Sequence, residues 1–200
     1  MTALYIATED ALSEAVLERL IQEVNQGLRV AVRMGRKGNS YLKKKFSGLL
    51  KTAQAVPVLL LTDLDRIECP PSLIRGWRGK SVFPEGLLFR VAVREIEAWL
   101  LADRKGFAHF SGIPLDKMPL EPETLIDPKR ELLRLIRKYG ERDLKNAILP
   151  ESGSSAMVGF GYNQALVRFV WGSWSVEKAA ANAESLARTC RRIRELSLRV

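Results

Sequence analysis

The sequence has few of the residues from which thiol, zinc and serine-hydrolase sites are built. Two cysteines, Cys69 and Cys190, occur in 200 residues, which excludes a disulfide scaffold and a cysteine-rich zinc module. A single histidine, His109, leaves no His/Cys metal cluster. It also weakens any Ser-His-Asp or Cys-His hydrolase, because His109 would have to act alone as general base. No apolar run approaches the roughly 18 residues of a membrane span. The opening Met1-Thr2-Ala3-Leu4-Tyr5-Ile6, with Glu9 and Asp10 close behind, has neither the basic nor the apolar segment of a signal peptide. These absences predict a cytoplasmic protein with reduced thiols and no membrane partner.

Acidic residues are missing from one long stretch. None lies between Glu23 and Asp63, where Arg29, Arg33, Arg36, Lys37, Lys43, Lys44, Lys45 and Lys51 fall. Lys and Arg total 32 against 23 for Asp and Glu, a formal net charge of +9. Such an excess predicts a polyanionic partner, nucleic acid ahead of an anionic membrane. Arg33, Arg36, Lys37, Lys43, Lys44 and Lys45 are the candidate phosphate contacts; the competing reading is a solvated helix face. A second cluster, Arg188, Arg191, Arg192, Arg194 and Arg199, reads as a partner-docking helix or a soluble face. Gly35-Arg36-Lys37-Gly38-Asn39-Ser40 lacks the spacing of a Walker loop and reads as a plain loop with Asn39 or Ser40 capping the next helix. Trp171 and Trp174 read as buried anchors rather than base-stacking platforms.

What is present is enough for a core, since 46% of the residues are hydrophobic. The length suits one domain, or one core with an appendage. Over the first hundred residues strand and helix signals alternate. Leu4–Ala7, Leu28–Met34, Val56–Leu61 and Leu87–Val93 read as strands. Helix periodicity covers 11–24, 40–55 and 94–103. Val56-Pro57-Val58-Leu59-Leu60-Leu61 is apolar throughout, so both of its faces must be covered, as in a parallel sheet between helices. The predicted fold is α/β, a mainly parallel four-stranded sheet between helices. The core is placed at 1–104 and a helical appendage at 105–200, with helices near 129–139, 162–171 and 176–197. The linker from Pro150 to Tyr162, with Gly153, Gly159 and Gly161, reads as mobile or site-forming.

Ligands of parallel α/β sheets sit at the carboxyl ends of the strands. The first strand ends in Ala7-Thr8-Glu9-Asp10, the third in Leu61-Thr62-Asp63-Leu64-Asp65, and the fourth in Val93-Arg94-Glu95-Ile96-Glu97. Three of four strands therefore deliver carboxylates to one edge. Oxygen-only ligands on a rigid edge suit Mg2+ or Mn2+. A pair of such ions clamps the attacking and leaving oxygens of a phosphoryl transfer, and that chemistry needs no histidine. The competing reading of each acid alone is a helix cap. Two acids flanking one leucine exceed what a cap needs.

The strand ending in Glu followed by the strand ending in Asp-x-Asp resembles the Toprim fold of topoisomerases, bacterial primases and overcoming-lysogenization-defect nucleases. The finer pattern is similar to a prokaryotic Toprim-like family of unassigned function, often encoded beside an SMC-like or ABC-like ATPase in mobile or antiphage loci. The stretches that carry the resemblance are 6–16, 61–65 and 93–103, with Asp127-Pro128-Lys129 beyond them. The block Arg94-Glu95-Ile96-Glu97-Ala98-Trp99 is the specific one. The resemblance implies metal-dependent cleavage of nucleic acid in antiphage defence or a mobile element, with an ATPase partner. It makes Glu9 a metal ligand or general acid/base, Asp63 and Asp65 metal ligands, and Glu97 or Glu95 the residue that completes the site. One departure is that Asp10 stands where the family has Gly. Another is that Glu9 and Glu14 are one residue further apart than usual, which offers Asp10 or Glu14 as substitutes.

The expected activity is thus Mg2+- or Mn2+-dependent hydrolysis of phosphodiester bonds. One alternative is a non-catalytic nucleic-acid-binding or regulatory subunit. Another is a phosphatase or receiver-like acidic pocket for small phosphates, against which the long basic stretch speaks. An oligomer is compatible with either.

Overall fold

The computed structural model describes residues 1–196; Arg199 of the second basic cluster lies outside them. Strands β1 (Thr2–Thr8), β2 (Leu28–Gly35), β3 (Val58–Asp63) and β4 (Leu87–Ala92) form one sheet in the order β2-β1-β3-β4. Every pairing is parallel. The register sets Ala7 beside Leu60 and Asp63 beside Ala92. The strand ends therefore share one edge. Parallel strands need crossovers, and the crossovers cover both faces with helices. These are α1 (Ala11–Val24), α2 (Asn39–Thr52) and α3 (Pro70–Arg78).

Alternation along β3 divides the core into two layers. Leu59 and Leu61 join Leu4, Ile6 and α1 on one face. Val58 and Leu60 join Ala7, Phe89 and the α2–α3 layer on the other, where Phe46, Trp77, Phe83 and Phe89 pack ring to ring. All of β3 except Asp63 is buried, as an apolar run covered on both faces must be.

The first layer continues past residue 104. Helices α4 (Ile96–Ala102), α5 (Arg104–Ser111), α6 (Pro128–Tyr139), α7 (Arg142–Ile148), α8 (Tyr162–Gly172), α9 (Val176–Ala180) and α10 (Glu184–Leu196) share a single apolar cluster with β1, β3 and α1. Helix α8 packs on α1, and α10 packs on α1 and β4. Trp99 and Trp174 are fully buried; Trp99 Nε1 donates to Ser185 Oγ (2.8 Å) and Trp174 Nε1 to the Trp99 carbonyl (3.2 Å). Truncating such an anchor costs about 3–5 kcal/mol. Trp174 is thus the expected anchor, whereas Trp171 is exposed.

Three local departures have local causes. The predicted helix 94–103 begins at Ile96 and stops at Ala102, because Asp103 leaves it to cap α5, accepting from Gly106 N (3.0 Å) and from Ser175 N (2.8 Å). The predicted helix 176–197 is two helices, α9 and α10. Between them Asn182 Nδ2 donates to the carbonyls of Ala102 (3.0 Å) and Lys178 (3.1 Å). Helices α3, α5 and α7 were not predicted; Pro70 and Pro71 open α3, where a missing N–H costs nothing.

Candidate functional site

The chain leaves β1 at Thr8, and the next two acids divide two tasks. Asp10 takes an extended backbone and caps α1, accepting from Ser13 N (2.8 Å). Glu9 turns inward instead. Its Oε1 accepts from Thr62 Oγ1, from the Asp63 amide (2.9 Å) and from Asn39 Nδ2 (3.2 Å). Asn39 also donates to Thr62 Oγ1 (2.9 Å). The expected Asn39 or Ser40 cap is absent: Gly38 occupies the cap position and no side chain caps α2. Asn39 reaches Glu9 because β2 ends tightly against β1. A Cβ on Gly35, at φ +107°, would stand 2.0 Å from the Thr8 carbonyl oxygen, so only glycine fits. Burial pushes the Glu9 carboxyl up, and the Asp65 charge adds to this. The bonds from Thr62, Asp63 and Asn39 oppose it without cancelling it.

Asp63 closes β3. Its Oδ1 accepts from the Ile96 amide (3.0 Å), one of the N–H groups that a helix start leaves unpaired. Solvent reaches Asp63 in part, yet protein surrounds it densely enough that burial is the main reason its carboxyl rises well above the usual range. The charges of Glu97, Glu9, Asp10 and Asp65 push it further in the same direction. The acids from three strand ends therefore act on one another. Asp65 lies at the exposed rim in the left-handed region, at φ +51°, a conformation that aspartate tolerates better than most residues. Arg94 holds this turn, donating to the carbonyls of Ile67 (2.7 Å) and Asp65 (3.4 Å).

The structure separates Glu95 from Glu97. Glu95 turns to α6, where its Oε2 accepts from Lys129 N (2.8 Å). Glu97, in the first turn of α4, is 1% exposed. Its Oε1 accepts from Tyr162 OH (2.7 Å) and lies 3.3 Å from Lys129 Nζ. Its Oε2 is buried and has no hydrogen-bond partner. Burial works against the charge on Lys129, but Glu97, Glu95 and Asp63 outweigh it and raise its pKa. Burial, then the charge of Glu97, raises the Tyr162 phenol well above its usual value, so it stays a donor. Among the described residues no three Asp, Glu, His or Cys side chains are already grouped tightly enough to hold a metal ion.

The basic stretch looks different in space. The acids missing from it come from α1. Arg36 Nε donates to Glu14 Oε2 (2.8 Å) while its Nη2 bonds the other Glu14 oxygen, and Arg33 pairs with Glu18. Glu14, offered above as a substitute ligand, is thus spent on Arg36. Lys37 and Lys45 lie over the Tyr41 ring, at 5.4 and 5.9 Å from its centroid. Lys43 and Lys44 are exposed on α2. In the C-terminal cluster Glu184 pairs with Arg188 and Arg191, and Glu195 with Arg192.

Four residues in contact with these acids carried little or no signal as chemistry in the sequence: Asn39, Thr62, Lys129 and Tyr162. Lys129 follows an Asp-Pro helix start, which places it in the first turn of α6 but not beside Glu97. Tyr162 ends the glycine-containing linker, and a lone tyrosine there has no spacing to read. Comparison with protein-family models, with curated proteins and with solved structures returns no match.

Proposed function

We propose that this cleft binds Mg2+ or Mn2+ and that the protein hydrolyses phosphodiester bonds in nucleic acid. The observation that carries the reading is Glu97 Oε2, a buried carboxylate oxygen with no donor, on a residue whose charge acts on Asp63. A buried oxygen of this kind calls for a cation or an ordered water. Against Glu9, Asp10, Asp63, Asp65, Glu95 and Glu97, the ammonium in contact is that of Lys129. An oxygen-only donor set suits a hard divalent ion. Asp63 and Glu97 would hold the ion, with Glu9 or Asp65 closing on it from the strand ends. Glu95 is already engaged by the Lys129 amide. The resemblance of the strand-end acids to the Toprim pattern points the same way.

When bound, the ion supplies Lewis-acid polarisation of a phosphoryl oxygen. The other tasks belong to the chain. Tyr162 fixes the rotamer of Glu97 through its hydrogen bond. Lys129, held charged by its neighbours, would offset charge developing on a non-bridging phosphate oxygen. Asn39 and Thr62 fix Glu9.

Lys129 also favours a second reading. At 3.3 Å from Glu97, its ammonium could stand as the permanent cation of a non-catalytic nucleic-acid-binding subunit. Thermal melts of wild type and Glu97→Gln, with and without Mg2+ or Mn2+ at fixed ionic strength, separate the two. The metal reading expects wild type to gain about 2.7 kcal/mol at a hundred times the dissociation constant, and the variant much less. It also expects cleavage of a labelled strand only with metal. No metal-induced shift and no cleavage would select the non-catalytic subunit.

A further inference from the structure

A groove of about 910 Å3 is tied to the acidic cluster by the chain at two points. Arg66 on its wall follows Asp65 directly, and Asp127 on its wall precedes Pro128 and Lys129. Its floor is one face of α6, where Arg130, Arg134 and Arg137 recur at helical spacing. Arg134 is neutralised by Glu131 through two bonds of 2.7 Å. Arg66, Arg130 and Arg137 are exposed, and none of their guanidinium groups has a carboxylate partner among the described residues. At about 1.5 Å per residue, Arg130 to Arg137 spans about 10 Å. That is the length of about three nucleotides stacked at about 3.4 Å.

The same groove exposes apolar side chains. Ile126 is 91% exposed and Met157 74% exposed, both on its wall. A duplex presents phosphates and sugars outward and keeps its base faces stacked inside. A single strand presents phosphates and open base faces together, and open faces settle on apolar and aromatic side chains.

Resting on the reading of the cleft as a phosphodiesterase site, we infer that the α6 groove is the track for single-stranded nucleic acid. Arg66, Arg130 and Arg137 hold its phosphates, and Ile126 and Met157 meet its bases. The strand thereby runs toward the acids at the β3 and β4 ends. This track runs from Arg66 beyond β3 along α6 and does not include the lysines of α2.

The test reads binding, not cleavage, so it stands apart from the metal reading. Fluorescence anisotropy of a labelled single-stranded 15-mer is followed with the full chain in EDTA over a range of salt. The combined Arg66→Gln, Arg130→Gln, Arg137→Gln variant is expected to bind about tenfold more weakly or worse. Its log–log salt slope should shrink by about 2, at about 0.7 per lost contact. The corresponding Arg→Lys variant, with its charges kept, should retain the slope. Ile126→Ser with Met157→Ser should weaken binding and leave the slope unchanged. Wild-type affinity and slope in the Gln variant overturn the assignment, as does a wild type that binds no strand. A duplex bound as tightly, and lost equally in the Gln variant, overturns the single-strand assignment.

Discussion

Two runs of like charge mark this protein, and they have opposite fates. The basic stretch from Arg29 to Lys51 is spread along β2 and α2. Two of its arginines are neutralised by Glu14 and Glu18 from α1, and its remaining cations face solvent or the Tyr41 ring. The acidic set at the ends of β1, β3 and β4 is gathered at one place, where burial and mutual repulsion raise Asp63 and Glu9. Solvated, paired charge costs little and does little. Buried charge that lacks enough counter-ions is costly, and persists where something else compensates it. The contrast shows that the density of charge along a chain does not tell how that charge is paired or buried in the fold.

The largest effect is expected on chemistry. Asp63→Ala, alone or together with Asp65→Ala, should reduce metal-dependent cleavage of a labelled nucleic acid to background, with folding unchanged by circular dichroism. Cleavage that survives the double variant would mean that the acidic edge is not the site.

Next comes the residue that orients Glu97. Tyr162→Phe leaves Glu97 Oε1 with Lys129 as its remaining partner. A loss of about 10–100-fold in metal affinity is expected, as for other groups that position a ligand. Titration calorimetry with Mn2+ measures it, and an unchanged affinity would place Tyr162 in a packing role.

A smaller effect concerns metal-free stability. The folded pKa of Asp63 is raised, so its contribution to stability is fully present below the ordinary aspartate value of about 3.9 and is lost as pH rises through the folded value. The metal-free wild type should therefore melt lower as pH climbs out of the acid range. Asp63→Asn keeps an acceptor for the Ile96 amide and removes the charge. It should raise the metal-free melting temperature at neutral pH and flatten that pH dependence. A variant that melts below wild type at pH 7 would show that Asp63 is adequately compensated.

The smallest effect is assigned to the basic stretch. Lys43→Gln, Lys44→Gln and Lys45→Gln together should move the melting temperature by no more than about 2 °C. They should also change the salt dependence of strand binding less than the combined Arg66, Arg130 and Arg137 substitutions do. A larger change in anisotropy-based salt slope would return the main phosphate track to α2.

The layout of the α/β half was legible because its signals are local. An apolar run such as Val58–Leu61 can persist only where both faces are covered, so β3 announced a parallel sheet between helices. Residues that follow strands must arrive at one edge of such a sheet, so Glu9, Asp63, Glu95 and Glu97 could be grouped before any coordinates. Helix α3 escaped because it is only nine residues long and opens on Pro70-Pro71, although Leu73, Ile74 and Trp77 share one face. The break at Asn182 escaped because it depends on a carbonyl of α4, 80 positions away in the chain.

By itself, then, the sequence determined which residues alternate, which end a strand and which side of the sheet must be apolar, because those properties act over a few residues. Tertiary structure decided which acid was used and how. It sent Glu95 to the Lys129 amide and buried Glu97 beneath Tyr162, 65 positions away. It brought Glu14 to Arg36 across 22 positions, turning a run without acids into a paired surface. The physical reason is that pairing energy and desolvation depend on distance in space and on the surrounding dielectric, and neither is a property of neighbours in the chain.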